Sequence, residues 1–247
     1  MNETFIRYVG LHKSFGKNDV LCGLDLEVQR GQTVVVLGGS GTGKSVLLRH
    51  TIGLQLPDRG EVWVDGQEIT DFDEEELIET RKKVGMLFQA GALFDSMTVE
   101  DNVAFALREH TDWEPEKITA RVTEVLGFVE LYEVGQLMPA SLSGGMRKRV
   151  ALARAIALSP RAILYDEPTT GLDPITANTI NRLIRSLQKR LGVTSIVVTH
   201  DIHSAFTVGD RIAFLHKGRI HFDGTVEEAK RSTEPLLRTF IEGGGYG

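Results

Sequence analysis

The stretch with the clearest chemistry is TVVVLGGSGTGKS, residues 33 to 45. Its first five residues are β-branched or apolar without alternation, which is typical of a strand buried on both faces. Four glycines follow within six residues, and after Lys44-Ser45 the apolar stretch VLLRHTIGL favours a helix. The pattern G-x-x-x-x-G-K-S therefore stands between a strand and a helix, the context in which it binds the phosphates of a nucleoside triphosphate.

Each part of this segment has a distinct expected task. The glycines let backbone N–H groups surround a phosphate where a Cβ would intrude, and the helix N-terminus adds partial positive charge. Lys44 would reach the outer phosphates, and the Ser45 hydroxyl would hold Mg²⁺. A glycine-rich turn without a ligand is the alternative, and the flanking elements disfavour it. The predicted nucleotide-binding residues of the segment are Gly38, Gly39, Ser40, Gly41, Thr42, Gly43, Lys44, Ser45 and Val46.

Two adjacent carboxylates end the apolar segment RAILYDE. In open α/β sheets ligands gather beyond the C-terminal ends of the strands, where the phosphate loop would also lie. Adjacent residues of a strand point apart, so the two carboxylates should differ in role. Asp166 suits a ligand of Mg²⁺ or its water, and Glu167 suits a base that orients the attacking water. The alternative is a carboxylate that caps the next helix.

Gln89 and His200 each end a strand-like segment, VGMLF and TSIVVT. Both should therefore lie at the same sheet edge as Ser45 and Asp166. We expect His200 to donate a hydrogen bond to the terminal phosphate and Gln89 to contact Mg²⁺ or the attacking water. Taken as isolated residues, each would be structural as readily as catalytic.

Phe15 precedes a predicted turn, a position that does not require a core residue. Its ring could stack on adenine, although ordinary core packing explains it equally well on pattern alone.

A second phosphate-receptive helix start is predicted at SLSGGMRKRVALARAIA, residues 141 to 157. Ser143, followed by Gly144 and Gly145, can cap this helix, and the free N–H groups would offer another anion site. A capped helix without a ligand would explain the segment equally well.

The elements that must position these residues alternate along the chain. We expect antiparallel strands over residues 4 to 30 and a helical insertion over about 90 to 160, where strand patterns disappear. Strands alternating with helices elsewhere predict an α/β fold with a mainly parallel sheet covered on both faces. We interpret residues 1–247 as one domain with a C-terminal tail from about 231.

Composition narrows the functional class. A net charge of −6 and a pI near 5.7 argue against a nucleic-acid groove, and the single cysteine, Cys22, excludes a disulfide framework. No apolar run approaches the ~20 residues of a membrane span, and MNETFIRYVG is not a secretory signal. We therefore expect a cytoplasmic protein that reaches a membrane through a partner.

Taken together, the motifs resemble those of ATP-binding-cassette (ABC) ATPases along nearly the whole chain. GGSGTGKS is similar to Walker A, ILYDE to Walker B and LSGGM (142–146) to the signature, while GLDP (171–174) resembles the D-loop. Gln89, His200 and Phe15 are similar to the Q-loop glutamine, the switch histidine and the adenine-stacking aromatic. The resemblance implies a P-loop NTPase with a RecA-like core, an antiparallel β subdomain and an inserted helical subdomain.

The resemblance also implies partners. Two copies would sandwich two ATP molecules, with Ser143 and Gly145 on the partner's γ-phosphate and Asp173 at the interface. The usual signature ends in glutamine, whereas this one ends in Met146. The polar contact that the glutamine makes to nucleotide or partner therefore cannot be transferred to this chain. Met146, together with residues 85 to 105, resembles the ATPases of Mla-type phospholipid transporters of the bacterial inner membrane. That group implies a permease pair, an MCE-domain subunit and a small STAS-domain protein.

The resemblance implies the ATP-hydrolysing motor subunit of a membrane transporter, and two other functions are alternatives to it. A soluble ABC protein acting on nucleic acid or ribosomes usually has two cassettes or basic arms, and a small-molecule kinase would leave the signature without a task. A motor would couple to its permease near Gln89 to Val103, where Val99, Val103 and Phe105 could line a groove or belong to the core. The tail, with Leu236, Leu237, Phe240, Ile241 and Tyr246, could dock on a partner or simply fray.

Overall fold

The computed structural model describes residues 3–243, and a six-stranded sheet forms its centre. The strands are β3 (Thr33–Leu37), β6 (Val84–Leu87), β7 (Ala162–Asp166), β8 (Thr194–Thr199), β9 (Arg211–His216) and β10 (Arg219–Thr225). Their order is β10-β9-β3-β8-β7-β6, with every pair parallel except β9 and β10. All residues of β3, β7 and β8 are buried, as the unalternating apolar runs predicted.

The sheet separates two hydrophobic cores because successive side chains of a strand point to opposite faces. Val35 and Leu37 of β3 enter the larger core, which contains the helices of the middle region. Val34 and Val36 enter the other, which is shared with a second sheet. The predicted α/β class with both faces covered is confirmed.

The second sheet is antiparallel, as predicted for the start of the chain. It is formed by β1 (Thr4–Phe15), β2 (Asn18–Gln29), β4 (Arg59–Val64) and β5 (Gln67–Glu68) in the order β2-β1-β4-β5. Asp65 and Gly66 make the turn between β4 and β5 with φ values of 53° and 79°, the left-handed geometry of a tight hairpin. The Asp65 carboxylate lies 2.5 Å from Arg30 and 2.8 Å from Arg161, which ties this hairpin to the central sheet.

Nine α-helices cover the sheets of the described residues: α1 (Lys44–Thr51), α2 (Glu74–Lys83), α3 (Val99–His110), α4 (Pro115–Phe128), α5 (Gly144–Ile156), α6 (Pro174–Leu191), α7 (Ile202–Val208), α8 (Val226–Arg231) and α9 (Pro235–Glu242). Helices α3, α4 and α5 form the predicted helical region between β6 and β7. Its treatment as a subdomain spanning about 90 to 160, within one domain of 1–247, stays a prediction. Within residues 3–243, none of these helices is long and apolar enough to cross a membrane.

The predicted groove residues separate into two groups. Val99 and Val103, one turn apart on α3, are fully buried, so for them the groove interpretation is wrong and the core interpretation right. The reason is helix geometry, since residues four apart share a face and this face packs on α4 and α5. Phe105 lies on another face and keeps 37% of its surface exposed.

The predicted apolar stripe of the tail also divides. Leu237 and Phe240 of α9 are buried in the larger core, where the Phe240 ring lies 5.3 Å from that of Phe214. Leu236 remains 37% exposed. The helix therefore docks on its own chain, and Tyr246 lies outside the described residues.

Gly85 provides a test of how β6 meets α5. A Cβ at Gly85 would overlap the Ala155 carbonyl oxygen, a backbone atom that cannot move aside cheaply. We expect Gly85→Ala to lower the free energy of unfolding by ~1–3 kcal/mol, the usual range for overpacking. The matched control is Gly127→Ala in α4, where the nearest atom, Tyr132 Cε1, would be 3.9 Å away. It should raise stability by about 0.5–1 kcal/mol, since alanine favours helix.

Urea unfolding followed by circular dichroism measures both variants. A Gly85→Ala protein as stable as Gly127→Ala would contradict the close approach of β6 and α5.

Candidate nucleotide site

The glycine-rich segment forms a loop between β3 and α1. Gly43, directly before α1, has a φ of 100°, a backbone conformation that residues with a Cβ rarely adopt. Thr42 Oγ1 donates to the Gly39 carbonyl at 3.0 Å and closes the loop from within. The Gly38 N–H donates to the Thr199 carbonyl at 3.3 Å, so the loop continues the pairing of β3 with β8.

Lys44 lies inside this loop. Its Nζ donates to the carbonyl oxygens of Gly38 and Gly39, each at 2.8 Å, and lies 3.3 Å from Glu167 Oε1. Burial lowers the pKa of Lys44, and the neighbouring Glu167 and Asp166 carboxylates oppose that shift. The cation is therefore held where phosphate oxygens could replace carbonyl oxygens as its acceptors.

An open cavity of about 610 Å³ joins the loop to residues predicted from four other segments. The cavity is lined by Phe15, Val20, Ser40, Gly41, Gly43, Lys44, Ser45, Val46, Gln89, Glu167, Thr170 and His200. Phe15 is 49% exposed, so ordinary core packing is the wrong interpretation of this residue. Its ring is accessible to a flat base, and the cavity is large enough for a nucleotide.

Asp166 ends β7 beside the loop. Ser45 Oγ donates to Asp166 Oδ1 at 2.6 Å, which brings together a hydroxyl and a carboxylate. Burial raises the pKa of Asp166; the Ser45 hydrogen bond opposes this shift and the Glu167 charge adds to it. Mg²⁺ prefers oxygen ligands of this kind, so Ser45 and Asp166 fit the predicted metal, with Gln89 on the same cavity wall.

Glu167 points away from Asp166, as expected for neighbours at a strand end. Its carboxylate oxygen Oε2 lies 3.0 Å from His200 Nδ1 and 3.0 Å from Thr170 Oγ1. The helix-capping alternative is wrong, because Asp173 caps α6 by accepting from the N–H groups of Ile175 and Thr176. Glu167 instead lies between Lys44 and His200 at the cavity wall.

The sequence that forms this site matches known proteins. The family model for ABC transporters matches residues 21–170. The intermembrane phospholipid transport system ATP-binding protein MlaF of Haemophilus influenzae is 40% identical over 243 residues, covering 98% of this chain and 92% of the relative. The chain belongs to the ABC transporter ATP-binding family.

Two further similar proteins, one found by sequence and one by structure, are also named as ATP-binding. A Mycobacterium tuberculosis protein named probable ribonucleotide transport ATP-binding protein mkl is 43% identical over 234 residues, which are 95% of this chain and 65% of that protein. The chain thus spans about two thirds of that relative's length. A dimeric ATP-binding cassette solved in a post-hydrolysis state with ADP and Pi has a TM-score of 0.83 at 34% identity, covering 90% of this chain and 98% of that one. The predicted cassette fold and ATPase class are confirmed.

The ABC signature lies apart from the nucleotide cavity of its own chain. Ser143 caps α5 by accepting from the Met146 N–H at 3.2 Å, and none of Ser143, Gly144 and Gly145 lines the cavity. A Cβ at Gly145 would meet the Thr176 side chain just past the D-loop. Met146 packs its side chain against the larger core. The capped helix is confirmed, while anion binding by its N-terminus stays a prediction.

Three residues near Glu167 escaped sequence reasoning. Thr170 and Thr199 donate to Glu167 Oε2 at 3.0 and 3.4 Å, and buried Lys148 of α5 donates to the main-chain carbonyls of Gln89 and Glu167. Thr170 lies in the segment DEPTT, so its nearness to Glu167 was a usable signal. Lys148 is part of the run RKR, which resembles a solvated helix face.

Replacement of Asp166 should reveal the cost of burying its carboxylate. Because the pKa of Asp166 is raised by folding, the folded protein binds more protons than the unfolded chain between the ordinary and the raised pKa. Stability therefore falls as pH rises through that interval. We expect Asp166→Asn to be more stable than wild type at neutral pH by ~1 kcal/mol. Gains of this size are common when a residue that destabilises the fold for the sake of function is replaced. The difference should shrink at acid pH.

Asp173→Asn is the matched control, since hydrogen bonds from Thr176 and Ile175 lower the pKa of Asp173. That carboxylate contributes stability above its unfolded pKa, so the control should lose stability at neutral pH. Urea unfolding across the pH range measures both, and a neutral-pH loss for Asp166→Asn would contradict the assignment.

Proposed function

We propose that this chain is the ATP-hydrolysing motor subunit of a bacterial inner-membrane ABC transporter that moves phospholipids, in an Mla-type complex with MCE-domain subunits. The observation that carries the hydrolytic part is the Glu167 carboxylate, held between Lys44 and His200 on the wall of the phosphate-loop cavity. A carboxylate so held has few competing orientations, which suits a group that must orient one water molecule.

Hydrolysis then follows from the side chains of the site. Phe15 stacks on adenine, and the loop N–H groups with Lys44 bind the phosphates. Glu167 accepts the proton of the attacking water, while His200 orients Glu167 and donates to the terminal phosphate. Ser45 and Asp166, with Gln89, would hold Mg²⁺. When bound, that ion neutralises charge that develops on the phosphate oxygens.

Two copies of the chain are proposed to share each ATP. Ser143 and Gly145 lie outside their own chain's cavity; Gly145 is buried, but Ser143 is exposed at the helix start and is available to a nucleotide bound by the other copy. The capped N-terminus of α5 carries partial positive charge, which favours a phosphate. Asp173, exposed at the start of α6, would lie at the same interface.

Coupling to the permease is assigned to a groove of about 420 Å³ between the sheet and the helical region. Its apolar lining includes Leu54, Met86, Phe88, Phe94, Phe105 and Leu158. The rings of Phe94 and Phe105 lie 4.9 Å apart, and both residues are over one third exposed. An amphipathic helix of an integral-membrane permease fits this surface, which would keep the ATPase on the cytoplasmic face of the inner membrane.

Cargo and accessory partners rest on the Mla resemblance. The MlaF relative is named for phospholipid transport, whereas the mkl relative of similar identity is named for ribonucleotides. A STAS-domain protein is a further partner of the proposed complex, and no nucleic-acid partner is expected for a chain of net charge −6. Lipid extraction from the purified assembly tests the cargo. Bound phospholipid supports the proposal, and its absence from an active complex would count against it.

Glu167→Gln isolates the proposed base. The amide keeps the size of the side chain but cannot accept the proton, so we expect ATP binding to persist while kcat falls ~10²–10⁴-fold. Phosphate release and binding of a fluorescent ATP analogue measure the two properties. Near-normal steady-state hydrolysis by this variant would contradict the assignment of Glu167 as the base.

The same variant tests the shared site. With hydrolysis blocked, ATP should trap a dimer visible by size-exclusion chromatography with light scattering. Adding Ser143→Arg should abolish that dimer by bulk and charge while ATP still binds the phosphate loop. Unimpaired dimer formation by the double variant would argue against contact of the signature with the partner's nucleotide.

The groove is tested by Phe105→Asp. A charge in an apolar docking surface should lower permease recovery at least tenfold, the cost of losing a hot-spot aromatic, while intrinsic ATPase activity is kept. Leu137→Asp is the matched control, because Leu137 is 39% exposed in the same helical region but does not line the groove. Co-purification from detergent-solubilised membranes measures recovery, and equal loss with both variants would contradict the docking site.

A further inference from the structure

Lys148 is a buried cation that the proposed chemistry does not yet use. It lies in the second turn of α5, with 6% of its surface exposed. Its Nζ donates to the Gln89 carbonyl and, at 3.3 Å, to the Glu167 carbonyl. One ammonium group therefore connects the helix that begins at the signature with two residues on the wall of the nucleotide cavity.

The Glu167 main chain needs such support. Its φ is 47°, in the left-handed region that a glutamate rarely occupies. Such strain persists only where surrounding contacts fix the backbone. The Glu167 N–H donates to the Val198 carbonyl at 3.0 Å, and the Glu167 carbonyl accepts from the Thr170 N–H and from Lys148, each at 3.3 Å. Lys148 is the charged member of this set, and charge-assisted hydrogen bonds are the stronger ones.

The same helix also holds the Q-loop further along. Arg154, six residues after Lys148 on α5, donates to the Gly91 carbonyl at 3.0 Å and to the Ala92 carbonyl at 2.7 Å. The Q-loop main chain is thus bonded to α5 at Gln89 and again at Gly91 and Ala92. This loop leads from the nucleotide cavity to the groove assigned to the permease.

We propose that Lys148 is a positioning residue that transmits movement of the signature helix to Glu167 and Gln89. When the N-terminus of α5 is drawn to the partner's nucleotide, the ammonium carries that displacement to the two carbonyls and sets the proposed base for hydrolysis. The inference rests on the proposed function, since it adds a control element to the same site. Lys148 itself touches neither nucleotide nor water in this assignment.

The experiment compares four full-length proteins: wild type, Lys148→Met, Lys148→Gln and Lys189→Met. Methionine keeps the length and apolar stem of lysine but donates no hydrogen bond, whereas glutamine keeps a neutral N–H donor. Lys189→Met is the matched control, removing an exposed cation from α6. Steady-state phosphate release gives kcat and KM for ATP, and thermal unfolding gives Tm.

For Lys148→Met we expect kcat to fall ~10–100-fold, which corresponds to the loss of hydrogen bonds from a charged donor. KM should stay within about threefold of wild type, because a positioning role leaves ground-state binding intact. Lys148→Gln should recover part of kcat, and Lys189→Met should resemble wild type.

Three outcomes would overturn the inference. The first is an unchanged kcat in Lys148→Met, and the second is a lower kcat in that variant together with a higher KM and a lower Tm. The third is a kcat in Lys148→Gln that is no higher than in Lys148→Met. Should Lys148→Met fail to fold, Lys148→Gln decides by the same split between kcat and KM. A wild-type protein that does not hydrolyse ATP would instead overturn the proposed function, so the two failures are distinguishable.

Discussion

Parallel pairing of β3, β7 and β8 is the constraint on which the site depends. In this register Leu37 pairs with Thr199, and Asp166 pairs with Val198, so the three strands end side by side. The pairing continues past the strands, because the N–H groups of Gly38 and Glu167 donate to the carbonyls of Thr199 and Val198. A phosphate loop, two carboxylates and a histidine from distant segments thereby meet at one edge, without any direct contact being needed to assemble them.

The second constraint is electrostatic. Asp166 and Glu167 are almost fully buried, and so are Lys44 and Lys148. Lys44 pairs with Glu167, whereas Asp166 accepts from the Ser45 hydroxyl and Lys148 donates to two main-chain carbonyls. These contacts are needed because an isolated buried charge costs several kcal/mol. Lys44 bonds to loop carbonyls and to Glu167, and a bound phosphate would compete for the same cation. Nucleotide binding must therefore rearrange the pairing, which links occupancy of the loop to the freedom of the Glu167 carboxylate.

Sequence reasoning succeeded where function depends on strand ends and failed where it depends on helix faces. The buried strand before the phosphate loop, the divergence of Asp166 and Glu167, and the approach of His200 all follow from parallel strands that end together. Lys148 could not be found in the same way, because RKR fits a solvated face and only packing against the Q-loop buries its middle residue. Likewise α3 alone cannot tell that Val99 and Val103 face the core while Phe105 borders a groove. In both cases the neighbours of the helix decide, and these are distant in sequence.

Helix α5 brings the separate parts of the molecule into one mechanical unit. It spans 13 residues, about 20 Å at 1.5 Å per residue, with the signature at its start, Lys148 in its second turn and Arg154 near its end. Arg154 lies 5.8 Å from the Phe94 ring at the groove, so in the proposed complex the two ends of the helix would face different partners. A helix transmits a displacement along its axis with little loss, because its ladder of hydrogen bonds resists stretching. Consider a ligand that binds one end more tightly when α5 is in one of two positions. It shifts the equilibrium of the whole helix toward that position, by the difference between its two binding free energies. Nucleotide at the signature and permease in the groove would then bias a single element, and the coupling must act equally in both directions.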